Sequence, residues 1–183
     1  QIYVHHNSTQ VCGCMGDRLI EISAIDEFFE IQRIPRAAIS KQIVRNIRSL
    51  NEKDELEPLL RDITHDYNET PHGPTEIADI LTTNLHVHGE KKVTGIVLKG
   101  KSFTKVSSKD VTHQIQRITY IPDIGLMILC AVGDIQDDAQ RDFIDIAKSA
   151  GSAYLIIDAI DCARLLIAYG EVCHHDGLPF DAD

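Results

Sequence analysis

Two residues of this chain have types and positions that could act together on a phosphate. Asp79 stands at the start of an apolar segment, after a loop containing Pro and Gly. Lys99 closes the run Gly95-Ile96-Val97-Leu98-Lys99, and a turn at His88-Gly89-Glu90-Lys91 lies between the two. A carboxylate is an oxygen ligand for a hard cation such as Mg2+ or Mn2+. A lysine at a strand end can steady an attacking water or the charge that grows on a scissile phosphate. Acid, hairpin, apolar strand and terminal lysine form the order that metal-dependent phosphodiester hydrolysis needs.

Alternation along a strand puts Val97, Lys99 and Lys101 on one face and Ile96, Leu98 and Gly100 on the other. A lysine on the buried side of an Ile-Val-Leu strand requires a partner, so Lys99 is the first catalytic candidate. Lys101 is a second, equally able to snorkel from a sheet edge into water. Glu76 lies three residues before Asp79, which in a regular strand places the two on opposite faces. Both can hold one cation only if the chain bends there. Glu57 could lend a further carboxylate from a preceding helix. Glu55 is its equal rival, and acids are also favoured near helix starts for electrostatic reasons alone. Gln114, on the helix after the lysine strand, could bind a phosphate, a base or a metal-bound water. More often a residue in such a place is a polar surface position.

These residues need elements to position them. Arg18 to Phe29 fits helical spacing or a strand, and Pro35 interrupts it. Ser40 is a natural N-cap for a helix through Leu50. A second helix is expected from Glu55 to Asp66, with Pro58 in its first turn, and Asn68 to Pro74 reads as a loop. From Ile77 the period changes. Ile80–Val87 and Lys92–Leu98 read as two strands joined by the turn. Lys109–Ile118 reads as a helix and Leu126–Val132 as a strand covered on both faces. Then follow a helix over Asp137–Ala150, a strand over Tyr154–Ile157 and a helix over Ile160–Tyr169. The second half thus reads β-β-α-β-α-β-α, an α/β fold with a mixed central sheet flanked by helices.

The chain has 183 residues and a net charge of -10. That charge opposes nonspecific coating of nucleic acid. The distribution is uneven, however. Lys91, Lys92, Lys99, Lys101, Lys105, Lys109 and Arg117 share one window with the single acid Asp110, giving +6 there and -16 elsewhere. Lys101, Lys105 and Lys109 are the candidates for a phosphate-binding face, although a solvated loop after a strand would look the same. No apolar run is long enough to span a bilayer, and no signal peptide stands out. Five cysteines (Cys12, Cys14, Cys130, Cys162 and Cys173) suggest reduced thiols in a cytoplasmic setting. Cys12, Cys14, His5, His6, Cys173, His174 and His175 are zinc-type ligands, but their spacing matches no usual close pair. Cys130 and Cys162 sit in apolar runs that read as core rather than as nucleophiles.

Taken in order, Asp79, the hairpin, the Lys99 strand, the helix opening Lys109-Asp110-Val111, the Gly133-Asp134 turn and the run Tyr154 to Ile167 with its Asp158 and Asp161 resemble the Mrr-like branch of the PD-(D/E)xK nuclease superfamily. The likeness covers roughly residues 55–170. It implies a restriction-endonuclease-like domain over residues 55–183, preceded by a partly helical extension over 1–54. It also implies a metal-dependent DNA endonuclease of restriction, defence or repair type, with Mg2+ or Mn2+ as cofactor, and it allows a homodimer. Asp79 matches the family's metal-binding Asp, Lys99 its catalytic lysine, and Glu57 or Glu55 its helix acid. Val97 departs from the pattern, because the family has Glu or Gln there and valine cannot bind a metal. Either Glu76 or Gln114 supplies the missing group, or the domain only binds DNA or a protein partner.

Overall fold

The computed structural model describes residues 18–67 and 77–179. The chain first winds through 3-10 turns at Ile22–Ala24, Asp26–Arg33 and Arg36–Ala38. Helix α1 (Lys41–Ile47) follows, and the Ser40 hydroxyl accepts from the Ile43 amide as its N-cap. A π-turn over Glu52–Leu56, capped by Asn51, leads into α2 (Glu57–Thr64). The remaining elements are β1 (Ile80–Val87), β2 (Glu90–Lys99), β3 (Lys105–Val106), α3 (Ser108–Ile118), β4 (Ile124–Ala131), β5 (Asp134–Ile135), α4 (Asp137–Ser149), β6 (Ala153–Ile157) and α5 (Ala159–Ala168).

The fold is α/β. Its main sheet has four strands in the order β1-β2-β4-β6, and β3 and β5 form a separate parallel pair. β1 runs antiparallel to β2, while β2, β4 and β6 run parallel. The hairpin turn is His88-Gly89, both at positive φ (50° and 79°). A two-residue turn of that kind matches the twist of paired strands and sets their register.

The sheet buries both faces. Ile96, Leu98, Ile128, Cys130 and Leu155 pack on α5, α1, α2 and the 3-10 turn Asp26–Arg33. Val97, Met127, Leu129, Ala131 and Tyr154 pack under α3 and α4. The alternation expected along β2 is therefore observed, with Val97 and Leu98 on opposite sides. Helices cover both faces of the parallel strands, which explains why β4 reads as continuous apolar sequence. Residues 25–50 share one core with the sheet and α5, so packing continues across the position 54/55 boundary. The segment from Arg18 to Phe29, which fitted either helix or strand, is both: Leu19 bridges Tyr154 of β6 and Ile25 bridges Val87 of β1, while Ile22–Ala24 and the turn from Asp26 are 3-10 helical. No helix among the described residues is long and apolar enough to cross a membrane.

Candidate functional site

Asp79 and Lys99 lie at the same end of the sheet because β1 starts where β2 finishes. Asp79 is 2% exposed and Lys99 4%. A buried carboxylate and a buried ammonium must each find partners, and they share one. The Gln114 side chain reaches across from α3. Its amide nitrogen donates to Asp79 Oδ1 at 3.0 Å, and its carbonyl oxygen accepts from Lys99 Nζ at 2.6 Å. Lysine only donates and a carboxylate only accepts, so the amide can satisfy both in one orientation alone. The second Asp79 oxygen, Oδ2, accepts from the Leu98 backbone amide at 2.6 Å. The ammonium also stands 5.0 Å from the centre of the Phe103 ring, within cation–π range.

Val97 lies in the same core as α3's Val111 and Ile115, fully buried. It shares the Lys99 face but fills it with methyl groups. The polar group at this place comes from α3 instead, and the capping of that helix matters for its aim. Asp110 accepts from the Ser107 amide at 2.8 Å and from the Ser107 hydroxyl at 2.6 Å, tying down the first turn. These bonds hold the Asp110 carboxyl below the usual carboxylate range.

A second network reaches Asp79 from α2. Arg61 pairs with the buried Glu57 at 2.8 Å, and its Nη2 donates to the Asp79 backbone carbonyl at 3.0 Å. Arg61 also donates to the Asp66 carbonyl at 3.4 Å. The Glu57 carboxylate, read from the sequence as a further cation ligand, is thus buried and ion-paired with Arg61. The signal for this lay in the i,i+4 spacing of Glu57 and Arg61, which places them on one helix face. Glu55 accepts from the Asn51 amide at 2.6 Å and closes its own π-turn. Glu52, in the same π-turn, accepts from the Gly100 amide just past the end of β2 at 3.2 Å. Glu76 lies outside the described residues, as do His5, His6, Cys12 and Cys14.

The basic window divides in space. Lys101, Lys105 and Lys109 are exposed near the Lys99 end of the sheet. Lys91 and Lys92 sit at the hairpin end of β2 (Glu90–Lys99), about 25 Å of strand from Lys99. Arg117 falls in the last turn of α3. Lys92 is paired with Glu90 at 2.8 Å. Three exposed lysines and the buried Lys99 therefore remain near Asp79, rather than all seven basic groups.

Among the described residues, no three or more His, Cys, Asp or Glu side chains gather as a metal cage. Asp79 nevertheless offers a carboxylate, a hard donor of the kind Mg2+ takes, whereas the Gln114 oxygen faces the Lys99 ammonium and the Gln114 nitrogen faces Asp79. Mg2+ is commonly held by one or two carboxylates, with water and substrate phosphate completing the shell. Of the described residues, Asp79 alone fits that role at this place, and both of its oxygens already accept hydrogen bonds, from Gln114 and from Leu98. Cys130 and Cys162 are fully buried. The Cys130 thiol is pushed well up by its contact with the Cys162 thiol and by burial, which suits inert core residues rather than nucleophiles.

No family model matches the chain, and no curated protein or solved structure matches it.

Proposed function

We propose that the chain is a restriction-endonuclease-like domain that hydrolyses DNA phosphodiester bonds with Mg2+ or Mn2+, in restriction, defence or repair. One observation carries this reading: Asp79 and Lys99, twenty residues apart in sequence, are joined through Gln114 in a single hydrogen-bonded unit. Asp79 would hold the cation, with water and the substrate phosphate completing its shell. Bound there, the metal would supply Lewis-acid polarisation of the phosphate.

The residues divide the remaining work. Lys99 brings a fixed positive charge to where negative charge develops on the phosphate. Gln114 orients Asp79 and Lys99 relative to one another. Phe103 and the α3 face keep water from the ammonium and strengthen its field. Lys101, Lys105 and Lys109 would meet backbone phosphates on the way in.

The test is cleavage of supercoiled plasmid in Mg2+ and in Mn2+, comparing wild type with Asp79→Asn and Lys99→Met. Both substitutions keep side-chain volume close to native. Nicking by wild type, lost in both variants while their unfolding curves stay cooperative, is the expected result. Equal cleavage by all three proteins would remove the assignment.

A second reading rests on Val97, buried where the resembled family carries Glu or Gln, and on Glu57 being neutralised by Arg61. Such a domain would bind DNA without cutting it. It predicts gel-shift binding that weakens as salt rises, with no nicking in either metal.

A further inference from the structure

The parallel strands β4 and β6 are neighbours, yet the chain leaves them in opposite directions. β4 continues into α4, which packs on one face of the sheet, and β6 into α5, which packs on the other. Adjacent loops that part in this way open a crevice beyond the carboxyl ends of the strands, where open α/β sheets bind ligands. A cavity of about 500 Å3 lies at this place, lined by the Gly133–Ile135 turn, the start of α5, and Arg48 after α1. Its size falls within the range of small-molecule sites.

The charges of the wall are already compensated. Arg48 and Asp134, both lining the cavity, are ion-paired with each other. Asp158 is paired with Arg36 at 2.7 Å. The amides of Ile160 and Asp161, at the start of α5, are taken by Asp158 Oδ1 at 2.9 Å and 2.8 Å. This helix end therefore has no amides waiting for an anion, and a phosphate would meet two carboxylates. A cation would meet two guanidinium groups. What remains is a donor fork and an acceptor side by side, Arg48 and Asp134, with the Gln140 amide and the apolar surfaces of Ile135 and Ile160. Gln140 donates to the Ile135 carbonyl at 3.3 Å, which leaves its oxygen as an acceptor.

We infer that this crevice binds an uncharged heterocycle of nucleobase or nucleoside size, its polar edge on Arg48 and Asp134 and its flat faces against Ile135 and Ile160. The ligand is either a free nucleoside or a base turned out of a polynucleotide. The inference does not depend on the hydrolytic reading, because none of its residues belongs to the Asp79–Gln114–Lys99 unit.

The experiment is an amide chemical-shift titration of the full chain with the common nucleosides, their 5′-monophosphates and a short single-stranded oligonucleotide. At least one nucleoside should give saturable shifts at Gly133, Ile135, Ala159 and Ile160. Its 5′-monophosphate should bind more weakly, because the added charge faces Asp134 and Asp158. Ile160→Trp, which fills the cavity, should weaken binding by about tenfold or more. Where that variant does not fold, Gln140→Leu serves the same purpose. Lys99→Ala should bind the nucleoside as wild type does. The same shifts with the oligonucleotide identify a base delivered from a strand, and shifts with nucleoside alone identify a free metabolite. No saturable shift with any nucleoside up to about 10 mM would overturn the inference. So would tighter binding of the monophosphate at these amides, or unchanged affinity in the cavity variants.

Discussion

Asp79 and Lys99 are 2% and 4% exposed, whereas Asp134 and Arg48, also beyond the carboxyl ends of the parallel strands, keep 56% and 44% of their side chains in water. Both regions pair a carboxylate with a basic group, yet they are built on different terms. Under α3 the charges have no water to fall back on, so every partner must come from the protein, and an intervening amide links them. Beside α5 solvent serves the same purpose, and a cavity can stay open. Burial converts polar residues into a fixed unit. Exposure leaves them free to meet a ligand.

The largest effect expected from breaking this comparison is on stability. Asp79→Ala strips the Leu98 amide and the Gln114 amide of their acceptor and leaves Lys99 without its indirect counter-charge. A loss of about 3 kcal/mol is expected from urea unfolding. Asp134→Ala, which breaks only an exposed pair, should cost about 1 kcal/mol or less. Equal losses would mean the two regions are not differently built.

A double-mutant cycle sharpens the same point at smaller scale. Lys99→Met and Gln114→Leu should be coupled by about 1–2 kcal/mol, as buried hydrogen-bonded neighbours are. Arg48→Ala and Asp134→Ala should be coupled by only a few tenths of a kcal/mol, about what exposed pairs give. Coupling of similar size in both cycles would contradict the contrast.

The smallest effect is pH-dependent. The Ser107 bonds lower the folded-state pKa of Asp110. The contribution of this carboxylate is therefore present above the unfolded Asp pKa and fades as pH falls through the lower folded value. Asp110→Asn should lose a little stability at neutral pH and match wild type in strong acid. A variant that differs from wild type by the same amount at both extremes would show that the charge of Asp110 plays no part.

Much of this architecture is legible along the chain. The period change at Ile77 and the apolar run of β4 each mark their element directly, whereas the turn read over His88-Gly89-Glu90-Lys91 is shorter, at His88-Gly89, with β2 beginning at Glu90. The opposite faces of Val97 and Leu98 follow from alternation alone. The 3-10 course of Asp26–Arg33 does not, because Phe28 and Ile31 find their burial only against α5 and the sheet. Nor does the service of Arg61 to the Asp79 carbonyl, made across 18 residues.

The order of strands and helices was written locally, in spacing that a few neighbouring residues define, and it sufficed to place Asp79 and Lys99 at one end of a sheet. Which polar groups meet was decided by the assembled fold. Gln114 became the link because α3 lies over Val97, the basic window was divided by the length of β2, and the crevice opened because two neighbouring strands send their helices to opposite faces. Periodicity reports which side of an element is buried. It carries no information about which distant group will be there to satisfy a buried charge, and that is settled only when the elements pack.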